Sequence, residues 1–383
     1  MMVNPLRRYA LGFAVVAALA ASLFSGCGET GEEASETDET ETPVGEATGI
    51  ETRTVPKAGV DITWEEWAPY GRAHLDLDWV SGVVWAGGRI CAVGTRAQGE
   101  VVENNTKDKK PCDLVVLSLS RGGVAEAGST SSRFYERVHI AVATDGRYIY
   151  CAGGAYTPKT ILLVPDGEFE FAPLSASTLD FNRYNIATES FDEVTTLPTA
   201  RAGAVATVQD GLLYVAGGIF DKNDPQDEIN RQFDRYDPAA DRWTKLTHLR
   251  IPLYRPQMSV YGTQVYFFGG LTYQPERVTN FTMRYDLEVF KWQQKNPTPV
   301  PREGGRAFVV GDKIYLLGGR ESYGFDQPDR MNRCIHEYDP DEDEWAELPT
   351  RLPEGSDLVC YDGVFFYCVG REVTYRGRLA DIE

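Results

Sequence analysis

Short segments in which apolar and polar residues alternate, separated by turn residues, recur along most of this chain. In one unit, alternation runs from Ala202 to Val208, a turn signal follows at Gln209–Gly211, and a continuous apolar run extends from Leu212 to Ala216. Alternation is typical of a half-buried strand, and a short apolar run is typical of a strand that is buried on both faces. The pattern predicts an antiparallel hairpin packed between other sheets.

The same unit continues with two further predicted strands. A polar loop leads to a strand at Gln232–Tyr236, and an Asp-Pro turn at Asp237–Ala240 leads to a fourth strand that holds Trp243. Asp-Pro is turn chemistry, because Pro fixes φ and the Asp side chain hydrogen-bonds the following backbone. Four antiparallel strands per unit follow.

A glycine pair at the end of the apolar run, then Tyr, then Trp seven residues later, recurs along the chain. The copies are Gly217-Gly218…Tyr236…Trp243, Gly269-Gly270…Tyr285…Trp292, Gly318-Gly319…Tyr338…Trp345 and, with Phe in place of Trp, Gly153-Gly154…Tyr184…Phe191. Two further strands end in single glycines, Gly94 and Gly370, so successive units lie 49 to 64 residues apart. Self-similarity at about 50 residues is typical of propeller blades.

The last unit lacks its fourth strand. After Gly370 the chain has room for a third strand at Val373–Leu379 and no more. The N-terminal segment Asp61–Pro69 has the pattern of a fourth strand, with Trp64 at the repeated Trp position. Pairing this segment into the last blade closes the ring and removes an open sheet edge. The sequence therefore predicts an all-β, six-bladed propeller over residues 59–383.

Two insertions bear on this blade count. Blade one carries a long polar insertion, Gln98–Pro111, and blade two carries an extra segment, Thr160–Leu179, ahead of its Tyr184. Residues Thr160–Leu174 have the pattern of a β-hairpin. Whether this segment is an inserted hairpin or part of an extra blade stays open on the sequence alone.

The glycine pair, the Tyr and the Trp, in this order and spacing, resemble the kelch repeat. The resemblance covers nearly all of residues 59–383 and implies a β-propeller of the galactose oxidase type. It implies little about activity, since one fold hosts many functions.

The N-terminus resembles a bacterial lipoprotein signal. Arg7 and Arg8 precede an uncharged apolar run, Tyr9–Phe24, which is short for a membrane span and right for a signal peptide. The run ends in a lipobox-like Leu-Phe-Ser-Gly before Cys27, so we expect a signal peptide over 1–26 and lipidation of Cys27. A cleaved secretory signal with an incidental Cys27, or a membrane helix, are the alternatives.

Residues 27–58 predict a disordered acidic linker. Nine Asp and Glu residues stand against Arg53 and Lys57, and large apolar residues are nearly absent. Such a segment cannot bury enough surface to offset its ordering entropy. The whole chain has a net charge of −19, which argues against nucleic-acid binding.

Six cysteines follow Cys27, namely Cys91, Cys112, Cys151, Cys334, Cys360 and Cys368. An even number in an exported protein permits disulfides, and Cys91–Cys112 is the pair we favour. The alternative is six buried free thiols that pack as small apolar residues.

The kelch resemblance implies that the residue just before each innermost strand faces the mouth of the central channel. Arg137, Arg201 and Arg302 each lie 17 residues before the last glycine of their repeat, and Arg255 lies 15 before Gly270, which we attribute to a shorter hairpin. Arg72 is a further possible equivalent, and blade six has Glu354 near this position.

Two interpretations of these charged residues stand side by side. Guanidinium groups converging on one opening would bind an anionic ligand, such as an acidic sugar or an acidic loop of a partner. Alternatively, each Arg braces its blade by hydrogen bonds to backbone carbonyls or to a neighbouring acid.

No cofactor or metal site is predicted. Copper chemistry of the galactose oxidase kind needs imidazole and tyrosinate ligands, and the four histidines fall in four different repeats. His139 follows Arg137 by two residues and is expected to point the same way.

The sequence thus favours a binding module for a protein or an acidic carbohydrate, exported and held in the cell envelope, at the outer membrane or cell surface, by its lipid anchor alone. We expect a monomer, with loops after the glycine pairs supplying specificity. The alternative is a sugar mutarotase or epimerase resembling N-acetylneuraminate epimerase, with the four arginines and Glu354 at its site.

Overall fold

The structure is a computed structural model. The residues that it describes are 52–77, 79–97, 112–131, 136–157, 161–163, 169–171, 177–219, 231–273, 276–321, 331–356 and 358–381. The predicted signal peptide, Cys27 and most of the acidic linker lie outside these residues. None of the helical structure in the described ranges is long and apolar enough to cross a membrane.

The described residues form six four-stranded antiparallel sheets, as the repeat predicts. Strand β1 (Val60–Ala68) precedes a short 3-10 helix at Arg72–His74. Blade one is built from β2 (Trp79–Ala86), β3 (Arg89–Ala97), β4 (Cys112–Ser120) and β5 (Gly123–Ser131). Blade two contains β7 (Ala141–Thr144), β8 (Tyr148–Ala152), β12 (Phe181–Asn185) and β13 (Ser190–Asp192). Short pairs flank its strands, namely β6 (Glu136–Val138) with β9 (Ala155–Thr157), and β10 (Ile161–Leu163) with β11 (Phe169–Phe171).

The remaining blades follow in chain order. Blade three contains β14 (Val205–Gln209), β15 (Leu212–Ala216), β16 (Gln232–Asp237) and β17 (Arg242–His248). Blade four contains β18 (Gln257–Tyr261), β19 (Gln264–Phe268), β22 (Thr282–Asp286) and β23 (Trp292–Lys295), with a side pair of β20 (Leu271–Tyr273) and β21 (Glu276–Val278). Blade five contains β24 (Arg306–Val310), β25 (Lys313–Leu317), β26 (Cys334–Asp339) and β27 (Glu344–Arg351). Blade six joins β28 (Leu358–Tyr361), β29 (Phe366–Val369) and β30 (Thr374–Asp381) to β1.

The first strands of the blades surround a central channel. They contact one another in a closed cycle, from β2 through β7, β14, β18, β24 and β28 back to β2. The sheets are thus arranged radially, and each blade has its first strand innermost.

The N-terminal strand closes the ring, as predicted. β1 pairs antiparallel with β30, and Trp64 lies opposite Gly377, just as Trp243 lies opposite Tyr236 in blade three. A Cβ at Gly377 would lie 2.4 Å from Cγ2 of Ile62 and 2.7 Å from the Trp64 ring. Glycine is needed there because the latch strand packs directly on the backbone of its partner.

The last residues of the predicted linker contact the propeller. The Ala58 N–H donates to the Glu347 carbonyl at 2.9 Å, and the Glu347 N–H donates to the Pro56 carbonyl at 2.9 Å. The chain therefore adds a short parallel stretch along β27 before it enters β1 in the next blade. This contact ties blade five to blade six.

The repeated aromatic residues pack between neighbouring blades, as expected. In blade five, Tyr338 and Trp345 lie 4.6 Å apart between ring centroids, and both meet Phe268 of blade four. Tyr236 and Trp243 of blade three meet Phe181 of blade two in the same way. Such large side chains contribute most of the apolar area buried between the sheets.

The extra segment of blade two contains an inserted hairpin. Residues Ile161–Leu163 pair only with Phe169–Phe171 and extend none of the six sheets. The described strands therefore leave the blade count at six. The insertion Gln98–Pro111 of blade one lies outside the described residues.

The favoured Cys91–Cys112 disulfide is wrong. Cys91 lies opposite Ser118 on the next strand, whereas Cys112 lies opposite Ala97, so the two cysteines are about 20 Å apart along the sheet. Every cysteine among the described residues is free, and all are buried except Cys334, which is half-buried. The alternative of free, packed thiols describes these residues.

We predict that Ile62→Ala lowers the free energy of unfolding by about 2–4 kcal/mol, because it opens a cavity where the latch strand packs on β30. Thr63→Ala, an exposed change in the same strand, is expected to stay within about 0.5 kcal/mol of wild type. Urea denaturation followed by tryptophan fluorescence measures both. Equal stability of the two variants would contradict a latch that depends on Ile62.

Candidate binding site at the channel mouth

A cavity of about 510 Å³ opens at the end of the channel where the innermost strands begin. Its walls come from the first residues of five of the inner strands and from the turns that precede them. The charged and aromatic side chains among its lining residues are Arg72, Trp79, His139, Arg255, Arg306 and Arg320. We call this opening the channel mouth.

Four residues in the left-handed region form a hydrogen-bonded arc around the mouth. They are His139, Gly203, Arg255 and Gly304, with φ of 55°, 64°, 49° and 67°. Each follows the same position of its blade, and each of the last three donates its N–H to the carbonyl of the preceding member, at 2.9, 2.8 and 2.6 Å. Two blades thus place a functional side chain where the others have glycine. Non-glycine residues in this conformation are uncommon and cluster at functional sites.

Arg255 extends into the cavity and is held from one side by a buried acid. Its Nε lies 3.4 Å from Oε2 of Glu303, which is itself buried, while the Arg255 side chain is 32% exposed. The ion pair orients the guanidinium without covering it. The remaining N–H groups face the cavity, so Arg255 has the geometry of an anion-binding side chain.

His139 is the neutral member of the arc. Burial, together with the nearby charges of Arg255 and Arg320, lowers the pKa of His139 to about 3. Its ring meets Trp79 edge to face at 5.2 Å and Tyr254 at 6.0 Å between centroids. At neutral pH the imidazole therefore contributes a hydrogen-bonding group beside the cations rather than another charge.

Three of the arginines proposed for the mouth are buried inside the blades instead. Arg137 donates to the carbonyls of Gly153 at 2.6 Å and Asp180 at 3.0 Å, and to Oδ1 of Asn182 at 2.6 Å. Arg201 forms a buried ion pair with Asp234. Neither side chain lines the cavity. The bracing interpretation describes these residues, because their donors are used by the protein.

Arg302 is likewise buried, and its partner is a neutral imidazole. It donates from Nη2 to Nδ1 of His336, and burial lowers the pKa of Arg302 to about 10. Burial, reinforced by the charge of Arg302, lowers the pKa of His336 to about 2. The His336 ring is therefore uncharged across the physiological range and accepts the hydrogen bond.

The brace links consecutive blades. The carbonyl of Arg201 accepts from the N–H of Gly154 in blade two, while its guanidinium pairs with Asp234 on the third strand of blade three. Arg302 makes the same connection, since its carbonyl accepts from Gly270 of blade four. A buried charged group bonded on both sides fixes the relative position of neighbouring sheets.

Blade four has an apolar version of this brace. Leu253 lies at the equivalent position, because its carbonyl accepts from the N–H of Gly218 at 2.8 Å. Met283, two residues before the repeated Tyr285, replaces the partner and belongs to the same apolar cluster as Leu253. The brace position therefore holds either a polar pair or an apolar pair.

The two-residue offset of Arg255 is the signal that separates it from the braces. The positions 17 residues before the last glycine are Arg137, Arg201, Leu253 and Arg302, and those 15 before are His139, Gly203, Arg255 and Gly304. Attributing the offset to a shorter hairpin is wrong, since β18 and β19 are as long as their counterparts in blade three. Two residues of spacing decide between burial and the cavity.

The other predicted site residues fall in two places. Arg72 lines the cavity from the short helix after β1, whereas Glu354 is exposed and is not among the lining residues. The five predicted side chains are thus not brought together, and only Arg255 of that set reaches the mouth. Arg306 and Arg320, which also line it, follow the glycines at 304–305 and 318–319.

Neither Glu nor Asp lines the cavity among the described residues. Nor do the described residues contain a group of three His, Cys, Asp or Glu side chains placed to hold a metal ion. The chemistry that the mouth offers is hydrogen-bond donation and positive charge beside one exposed aromatic ring.

A sequence profile described as the KLHDC2/KLHL20/DRC7 Kelch-repeats domain matches residues 139–360, more than half of the chain. The chain belongs to the kelch-repeat family. The match runs from His139 of the arc to the first strand of blade six.

Individual kelch proteins are similar over parts of their length. Kelch repeat and BTB domain-containing protein 12 of Homo sapiens is 23% identical over 66% of this chain and 42% of that protein. Kelch-like protein terF of Aspergillus terreus is 30% identical over 49% of this chain and 40% of that protein, and Beta-scruin of Limulus polyphemus is 28% identical over 46% and 20%. The chain thus spans less than half the length of each of these relatives.

A solved structure, that of YjhT, superposes on the chain with a TM-score of 0.54 and 15% sequence identity. The match covers 82% of this chain and 96% of that one. At this identity the likeness concerns the fold alone, and it agrees with the propeller.

We predict that Arg201→Leu lowers the free energy of unfolding by about 3–5 kcal/mol, because Asp234 is left as an unpaired buried charge. The double variant Arg201→Leu/Asp234→Met copies the Leu253–Met283 pair of blade four and is expected to regain most of the loss. Urea denaturation of both variants measures the difference. A double variant no more stable than Arg201→Leu would refute the equivalence of the two braces.

We also predict an acid sensitivity that His336 contributes. The folded protein keeps this imidazole neutral down to pH about 2, whereas the unfolded chain protonates it near pH 6.5. Stability is therefore fully present above pH 6.5 and falls below it, by about 1.4 kcal/mol per pH unit.

His336→Asn keeps an acceptor for Arg302 and does not titrate. We expect its stability to change less than that of wild type between pH 6.5 and 4.5, in urea titrations at each pH. His139 shifts stability in the same direction and is present in both proteins. Parallel pH profiles would show that His336 is not the cause.

Proposed function

We propose that this propeller is a binding module that takes an acidic segment of a partner protein at its channel mouth. Kelch propellers are typically protein-interaction modules, which supports the choice of a protein as partner. The observation that carries the proposal is the convergence of Arg255, Arg320 and Arg72 on one cavity with no carboxylate among its described lining residues.

The charge distribution favours an acidic ligand. The chain as a whole has a net charge of −19, so cations gathered at one opening stand out against their surroundings. A concave site of one sign concentrates the field and speeds the approach of an oppositely charged ligand. The acidic remainder of the surface would repel the same ligand elsewhere.

Trp79 supplies an apolar anchor beside the cations. It is 38% exposed, unusually for a Trp, and its ring is held by His139. Binding energy at protein interfaces concentrates on aromatic and Arg side chains near the centre of the contact. A partner segment with an apolar residue next to its acids would use both features.

The epimerase alternative has less support in the described residues. Ring-opening catalysis needs a general acid or base beside the bound sugar. Glu354 is not at the cavity, and Glu303 is buried behind Arg255. His139 has a pKa of about 3 and is a weak base at neutral pH.

For the location of the module, we propose export and attachment to the cell envelope through a lipid on Cys27. The support is the sequence alone: the apolar run Tyr9–Phe24, the lipobox-like residues before Cys27, and the acidic stretch after it. That stretch would hold the propeller away from the membrane by self-repulsion.

We predict that Arg255→Met and Arg320→Met each weaken binding of a fluorescein-labelled Asp-Glu repeat decapeptide by about tenfold, in fluorescence anisotropy titrations of the full chain. Loss of a charge-assisted hydrogen bond of about 1.5–3 kcal/mol is the reason. Arg121→Met, an exposed change on the turn between β4 and β5, is the control and should bind as wild type does.

Two comparisons complete this test. An Asn-Gln decapeptide should not bind, and N-acetylneuraminate as competitor reports whether an acidic sugar uses the same mouth. Equal affinity of all three variants would refute the site. Sugar binding that Arg255→Met abolishes, without peptide binding, would replace the protein ligand by a carbohydrate.

We predict that Cys27→Ser abolishes incorporation of radiolabelled palmitate when the full chain is expressed in a bacterium with lipoprotein processing. The serine has no thiol to accept the lipid, so the protein should move from the membrane fraction to the periplasmic or culture fraction. Unchanged labelling or fractionation would refute the anchor.

A further inference from the structure

Arg306 crosses the channel. It is the first residue of β24 in blade five, and its Nη2 lies 3.0 Å from the position that a Cβ of Gly82 would occupy in blade one. Blade one is two blades further round the ring, so the side chain extends through the lumen rather than along its own sheet. Gly82 leaves the space in which the guanidinium lies.

The guanidinium of Arg306 has no protein partner among the described residues. It makes no hydrogen bond or ion pair there, in contrast to Arg137, Arg201, Arg255 and Arg302. Burial lowers the pKa of Arg306, and the ionisable group nearest in effect is the Cys360 thiol, which burial keeps neutral. An Arg remains charged under these conditions.

The walls around this charge are apolar. The lining residues at this depth include Val83, Val142, Val205 and Val359. A charge that is removed from water and left unpaired is costly, and proteins compensate it with a partner or a bound ion. The described protein atoms supply no such partner.

A second unpaired donor lines the same cavity. Ser81 is the extra residue of a β-bulge, because Val80 pairs with Gly94 and Gly82 pairs with Val93. Its Oγ is buried and has no hydrogen-bond partner in the described part of the chain. Bulges next to sites re-aim side chains, and this one adjoins the residue that Arg306 contacts.

We propose that the inner end of the channel binds one compact monovalent anion, of the size of chloride or formate, between the Arg306 guanidinium and the Ser81 hydroxyl. Both groups donate hydrogen bonds, and neither has a protein acceptor. The site lies two residues along the strand from Gly304 of the arc, about 7 Å deeper than the mouth. It is separate from the peptide site and does not depend on it.

The test is the line width of ³⁵Cl in solutions of the full chain, where exchange with bound chloride broadens the resonance. Wild type should broaden the line, and formate at constant ionic strength should reverse the broadening. Arg306→Met should lose at least about four-fifths of it, and Ser81→Ala a smaller part. Arg255→Met and Arg121→Met are matched controls that should broaden the line as wild type does.

Gly82→Ala guards against a folding artefact. It keeps the Arg306 charge but places a methyl group against Nη2, so it should also reduce the broadening, and far-UV circular dichroism checks that each variant is folded. Line widths unaffected by Arg306→Met and Gly82→Ala would overturn the proposal. A loss that Arg255→Met reproduces would place the anion at the mouth instead and overturn it equally.

The two sites fail separately. If Arg306→Met removes the chloride effect and leaves peptide affinity unchanged, the inner site stands whatever the peptide result. If peptide binding is absent from wild type while the chloride effect persists, the proposed function falls and the inner site remains.

Discussion

The residue that enters each of blades three, four and five ties that blade to the one before it, and the channel mouth depends on this tie. Its carbonyl accepts a hydrogen bond from the glycine pair of the preceding blade, and its side chain packs on the third strand of its own blade. Arg201 with Asp234, Arg302 with His336 and Leu253 with Met283 are three chemical solutions to the same packing problem. Because the joint is buried, each polar version needs both partners, and the apolar version needs neither charge.

The mouth is built two residues after this joint. There the backbone turns into the left-handed region, and the carbonyl of one blade accepts from the N–H of the next. Glycine suffices for the turn, so the blades that place His139 and Arg255 at this position carry a conformational cost that the turn does not require. Side chains at strained positions of a rigid arc are held in place without help from a ligand, which suits a binding site. The fold thus supplies rigidity, and individual blades supply chemistry.

Cations occur at two depths of the channel, in different electrostatic situations. Arg255 is oriented by Glu303 and is partly solvated, so it can exchange water for a ligand at small cost. Arg306 lies between apolar walls without a protein acceptor among the described residues. The first arrangement favours reversible contact with a large acidic partner, and the second favours a small anion that compensates a fixed charge.

The sequence by itself determined the six blades, the closing strand and the aromatic packing, because glycine, Tyr and Trp at fixed spacing act through local backbone and neighbouring sheets. Trp64 was recognisable as a repeat residue for the same reason. Only the tertiary structure decided which arginines face the channel, since Arg201 and Arg255 differ by two residues in register and by everything they contact. Arg306 and Ser81 had no signal in the repeat, because one crosses the lumen to another blade and the other owes its position to a bulge. Such properties arise from residues distant in the chain, and a repeat pattern does not record them.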